Sequence, residues 1–138
     1  MANPRDDAET LVRQWYQRFN DADRAGMLAL LAADVVHDIN QGGREIGREA
    51  FEAFLARMDR CYQERIADLV VMTDATGAHA AAEFVVHGRY VAADEGLPPA
   101  TGQAYTLPAG AFFALKDGRI GRISTCYDLA AWIRMVGG

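Results

Sequence analysis

The spacing of apolar residues changes once along this chain, near Gln63, and that change constrains the fold more than any other feature. Before it, apolar positions recur at helical intervals; after it, they alternate. Val12, Trp15, Tyr16 and Phe19 predict a first amphipathic helix, opened by the acidic Asp6-Asp7-Ala8-Glu9 and broken at Asn20-Asp21-Ala22-Asp23. Asp23 is placed to cap a second, short helix carrying Met27, Leu30 and Leu31. Phe51, Phe54, Leu55, Met58 and Tyr62 mark a third. Between the second and third, Val35 to Ile39 reads as a short strand, Asn40 to Gly43 as a turn, and Arg44-Glu45-Ile46 as a stub pairing back.

Beyond Gln63, strands are predicted at Ile66 to Thr73, Ala80 to Val91, Gln103 to Leu115 and Arg119 to Cys126. Turns at Asp74 to Gly77 and Lys116-Asp117-Gly118, and a proline-bearing loop from Asp94 to Gly102, join them. Asp128 can cap a last helix carrying Leu129, Trp132, Ile133 and Val136. Helices followed by a long antiparallel meander give an α+β class, with helices packed on one face of a curved sheet that can enclose a pocket. The 138 residues suffice for one domain and one core.

Net charge of -5 and arginines scattered along the chain argue against a nucleic-acid partner, which needs a clustered basic surface. The acidic start and the lack of a long apolar run predict a cytoplasmic protein without a membrane span. Cys61 and Cys126 lie far apart and read as free thiols. His37, His79 and His87 lack metal-ligand spacing, and Gly42-Gly43 follows no phosphate-binding pattern, so chemistry without a metal or cofactor is expected.

The order of elements, with Trp15-Tyr16, Phe19-Asn20, Asp34-Val35-Val36, Asp38, the turn Asp117-Gly118-Arg119-Ile120 and Tyr127, resembles the nuclear transport factor two-like superfamily. The closer resemblance is to its ketosteroid isomerase-related, polyketide cyclase-like branch, and it covers nearly the whole chain. It implies a cone-shaped curved antiparallel sheet around three N-terminal helices, an apolar small-molecule ligand, and a homodimer through the sheet face. It also implies proton transfer next to a carbonyl: an aspartate after the second helix as base, with a tyrosine on the first helix and a late-strand acid stabilising the oxyanion. The first two positions fall on Asp38 and Tyr16. The third falls near Gly110, in Leu107-Pro108-Ala109-Gly110-Ala111, which holds no carboxyl group.

Asp38 is therefore expected to face the cavity as general base, its pKa raised by Val36 and Ile39, with His37 on the opposite side of the strand. Asn40 shares the parity of Asp38 and could donate to a ligand. Trp15, Phe54, Phe84, Val86, Phe112, Thr125 and Tyr127 complete the expected lining. The reading is an isomerase or related cyclase; its alternative is a non-catalytic binding protein with the same pocket.

Overall fold

The computed structural model describes residues 3–40 and 42–137; of the predicted turn after β1, Gln41 lies outside the described residues. Helix α1 (Pro4–Asn20) starts where Asn3 accepts the Arg5 N–H on its side-chain oxygen at 3.0 Å, with Pro4 in the first turn and Asp6 and Asp7 at the positive end of the helix dipole. The cap is thus Asn3, and the two aspartates lie inside the helix they were expected to open. The buried stripe Leu11, Val12, Trp15 and Tyr16 faces the sheet. At the helix end, both polar atoms of the Asn20 carboxamide bind the Ile66 backbone: Nδ2 donates to its carbonyl at 2.9 Å and Oδ1 accepts its N–H at 2.8 Å.

Asp23 caps α2 (Arg24–Ala29) by accepting the Gly26 N–H, as its position predicts. The chain then runs through β1 (Leu31–Ile39), β2 (Arg44–Ile46), α3 (Arg48–Cys61), β3 (Tyr62–Thr73), β4 (His79–Tyr90), β5 (Gln103–Lys116), β6 (Arg119–Tyr127) and α4 (Leu129–Gly137). The six strands form one curved, unclosed sheet in the order β2-β1-β6-β5-β4-β3. All neighbours are antiparallel except β1 and β6, which run parallel. Asp117 and Gly118 both take positive φ in the β5–β6 hairpin, as its tight turn requires.

Two strands are longer than their sequences suggest. β1 begins at Leu31, and β3 begins at Tyr62, directly after α3. In β3 the register shifts between Ala67 and Val70, with Asp68 at positive φ, so an irregularity bends the strand around α1. The core between helices and sheet includes Val12, Leu31, Val35, Tyr90, Phe113 and Ile120, all nearly or wholly inaccessible. Among the described residues, no helix is long and apolar enough to cross a membrane.

Candidate active site

A cavity of about 500 Å³ lies between the helices and the concave face of the sheet. Trp15, Tyr16 and Phe19 of α1 and Phe51, Phe54, Leu55 and Met58 of α3 form one side of it. The inward residues of the sheet form the other: His37, Glu64, Phe84, Val86, Leu107, Ile123, Thr125 and Tyr127. The walls are mostly apolar and aromatic, which suits a largely hydrophobic small molecule.

One end is closed by the 91–102 segment. Tyr90 donates its hydroxyl to the Pro98 carbonyl at 2.6 Å and accepts the Asp94 N–H at 2.9 Å. Tyr62 donates to the Asp94 carboxylate at 2.8 Å, and Arg57 stands 3.6 Å from the same carboxylate. Trp132 of α4 packs against Tyr62, Tyr90 and Tyr105 behind the loop. The loop therefore covers this end, and Asp94, Glu95 and Leu97 become part of the lining.

Along β1 the structure overturns the expected orientation. Leu31, Val35, His37 and Ile39 share one parity, and this odd set faces inward; Asp34, Val36 and Asp38 face the other way. Asp38 lies on the outer face, its carboxylate accepting from Arg44 at 2.6 and 3.1 Å and from the Ser124 hydroxyl at 2.7 Å, with Arg122 at 3.9 Å. These donors, Arg44 first and Ser124 second, hold the carboxyl down at about 2, where a raised value had been expected. Asp38 is thus an anion in an outer polar cluster, without access to the cavity.

His37 takes the inward place. It is 4% exposed, stacks on Phe51 with ring centres 4.3 Å apart, and meets the Phe54 ring edge-on at 4.6 Å. Its Nδ1 is buried without a hydrogen-bond partner among the described residues. Burial lowers its pKa to about 4, against a smaller opposing pull from the Asp38 charge, so the ring is neutral at physiological pH. An imidazole in the wall of a cavity with a ring nitrogen lacking a partner is a group that a ligand's polar atom can satisfy.

Tyr16 lies where the sequence puts it, in the cavity wall, with its ring 4.9 Å from that of Phe84 and edge-on to Phe113 at 6.1 Å. Burial pushes the phenol far above its ordinary value, so the hydroxyl remains a proton-bearing donor. The register aligns His37, Ile123 and Phe113 in one row across β1, β6 and β5. Tyr16 packs on Phe113 at the other end of that row, and the imidazole and the phenol both line the one cavity.

Trp15, Phe54, Phe84, Val86, Thr125 and Tyr127 line the cavity as expected. Asn40 also lines it, but at positive φ, with its Oδ1 accepting the Tyr127 N–H at 2.8 Å; it ties β1 to β6 and offers a ligand only its amide NH₂. Phe112 does not belong to the lining: it points outward from β5 and is 54% exposed. Its inward neighbours are Ala111 and Phe113, and Leu107 and Ala109 continue that face, so no carboxyl group comes into the cavity from the stretch around Gly110.

Glu64 is a lining residue that the sequence reading missed. Its carboxylate accepts the Tyr105 hydroxyl, and burial raises its pKa. Starting β3 at Ile66 hid it; continuing the alternation back from Ile66 places Glu64 and Tyr62 on the same inward face. Among the described residues, no three His, Cys, Asp or Glu side chains are grouped to hold a metal ion.

The SnoaL-like domain family matches residues 12–123. No functionally curated protein matches the sequence significantly. Among solved structures, a candidate polyketide cyclase from Pseudomonas putida KT2440 is 54% identical, with a TM-score of 0.92, over 94% of this chain and 97% of its own. A second candidate polyketide cyclase, from Xanthomonas campestris pv. campestris, is 51% identical, with a TM-score of 0.93, over 96% and 98%. An epoxide hydrolase of the LEH-like type from M. tuberculosis shares the fold at 17% identity, with a TM-score of 0.76, over 99% of this chain and 89% of its own.

Proposed function

Because the chain belongs to the SnoaL-like domain family, we propose that its cavity moves a proton next to a carbonyl of an apolar small molecule, isomerising a double bond or closing a ring. The observation that carries this reading is the neutral imidazole of His37, its Nδ1 without a partner among the described residues, in a cavity wall that also holds the protonated hydroxyl of Tyr16. His37 is the base and Tyr16 the oxyanion donor. Asp38, bound to Arg44 and Ser124 outside, takes no part in the proton transfer.

In the first step the imidazole takes a proton from the carbon beside the carbonyl. The C–H electrons form a carbon–carbon double bond, the carbonyl π electrons move to oxygen, and the Tyr16 hydroxyl hydrogen-bonds the resulting enolate. In an isomerisation the imidazolium returns the proton to the γ carbon. In an aldol-type closure the enolate carbon attacks a second carbonyl of the same molecule, and the imidazolium protonates the new alkoxide. A base with a pKa of about 4 is weak, so the step depends on the oxyanion being stabilised. The candidate polyketide cyclases that resemble this chain support ring closure as one outcome. A homodimer through the outer sheet face would fit the exposed Val70, Met72 and Phe112.

The test is deuterium entry from heavy water into β,γ-unsaturated ketones, including a 3-oxo-Δ5-steroid. Exchange present in the wild type and in Asp38→Asn but lost in His37→Gln is the expected result; exchange that survives in His37→Gln rules the base out. A second reading, a binding protein without turnover, draws on the wholly apolar inward face of β5 at Leu107, Ala109 and Ala111, where the resemblance places an acid. Ligand retention without exchange on any ketone favours it.

A further inference from the structure

Glu64 stands apart from the proton-transfer residues. It is the only carboxylate on the inward face of the sheet strands among the described cavity residues, and the row it belongs to crosses β3, β4 and β5 as Glu64, Gly88 and Tyr105. That row lies toward the end covered by the 91–102 loop and α4, since Tyr105 touches Trp132. His37 belongs to a different row, through Phe113, eight residues along β5 from Tyr105.

The row is built around a missing side chain. A Cβ on Gly88 would come within 2.3 to 2.5 Å of the Tyr105 ring, so the ring lies directly over the glycine, and from there its hydroxyl reaches the Glu64 carboxylate. That bond uses Oε2. Among the described residues no cation pairs with the carboxylate at close range: Arg24, whose charge acts on it, is tied instead to Asp59 at 2.8 Å and to the Phe19 carbonyl at 3.2 Å. Glu64 is half-buried in the cavity wall, and with one phenolic donor its carboxylate retains acceptor capacity that a ligand's hydroxyl can fill.

We propose that Glu64, fixed by Tyr105 across Gly88, is the cavity's second polar anchor and binds a hydroxyl on the end of the ligand remote from the carbonyl. The preferred ligand is then a hydroxylated ring compound, phenolic or alcoholic, held by Glu64 near the covered end while its carbonyl lies by Tyr16 and His37. The substrate's orientation rests on the proposed proton transfer; the anchor itself does not. Uncharged hydroxyl donors fit better than carboxylates, which the Glu64 charge would repel.

The test uses probes without a carbonyl, so that it reads the anchor separately from the exchange chemistry. Binding of 2-naphthol and 2-methoxynaphthalene is measured by quenching of tryptophan fluorescence in the wild type, Glu64→Gln and Tyr105→Phe. The wild type is expected to prefer 2-naphthol about tenfold, the worth of one hydrogen bond to a charged acceptor. Glu64→Gln, close in shape, should bring the two probes to near-equal affinity, and Tyr105→Phe should keep the preference by freeing the second carboxylate oxygen. Equal affinities in the wild type, binding of neither probe, or a preference that survives in Glu64→Gln each overturn the anchor. Loss of deuterium exchange in His37→Gln with the naphthol preference intact would separate the two sites.

Discussion

His37 and Asp38 are consecutive residues on opposite faces of one strand: the imidazole stacks on Phe51 inside the cone, while the carboxylate binds Arg44 and Ser124 outside it. Their adjacency brings charge, not contact. The Asp38 anion raises the His37 pKa slightly against the larger effect of burial.

Substitutions at the two positions should therefore separate cleanly. His37→Gln should reduce deuterium exchange by about 10²–10⁴-fold, the usual contribution of a general base. Asp38→Asn should leave exchange within a few-fold of wild type and cost about 1 kcal/mol of stability, since Arg44 is well exposed and the pair is screened by water. Exchange rates and urea unfolding of the same preparations check both halves.

Stability should depend on pH through His37 and Asp38. His37 has a folded pKa of about 4 against an ordinary 6.5, so between these values the unfolded chain binds a proton that the folded chain refuses. Stability should fall as the pH drops from about 6.5 to 4, by about 2–3 kcal/mol from this group, and His37→Gln should remove that slope. Asp38 acts lower down: its depressed pKa of about 2 contributes stability above pH 4 that is lost as the pH falls toward 2. Urea midpoints across pH 2 to 8, with an NMR titration of His37, measure both.

Tyr16→Phe keeps the ring contacts with Phe84 and Phe113 and deletes only the hydroxyl. Turnover should drop by about 10²–10³ with little change in ligand affinity, as for removal of one oxyanion donor. A rise in KM at unchanged kcat would place the hydroxyl in ground-state binding instead.

Gly88→Ala tests the close approach of the Tyr105 ring. The added methyl meets a buried ring held by Trp132, so Tyr105 must shift and release Glu64, at a cost of about 1–3 kcal/mol. Because the clash needs both partners, the effects of Gly88→Ala and Tyr105→Leu should be strongly non-additive in a double-mutant cycle.

Most of the architecture was legible from periodicity alone. Helical spacing around Trp15 and Phe51, the Asp23 cap and the Asp117-Gly118 turn each depend on neighbours in sequence, and each lies where it was predicted. The site was less legible because strand orientation depends on where a strand begins. With β1 started at Val35, Val36 and Ile39 gave no consistent face; in the structure Leu31, Val35 and His37 are the buried positions of the strand and Asp34 is exposed. The same truncation at Ile66 concealed Glu64. Phe112 was misplaced for a different reason: in the run Ala111-Phe112-Phe113-Ala114 both phenylalanines are equally apolar, and only pairing with Ser124 or Ile123 decides which faces in.

The parallel pairing of β1 with β6 also orders events during synthesis. His37 meets its row-mate Ile123 only after a further 86 residues have been made, so β1 is complete long before the strand it pairs with in parallel exists. Until β6 arrives, β1 keeps one edge unpaired, and the nascent chain passes through an interval in which chaperone engagement or aggregation competes with closure of the cone.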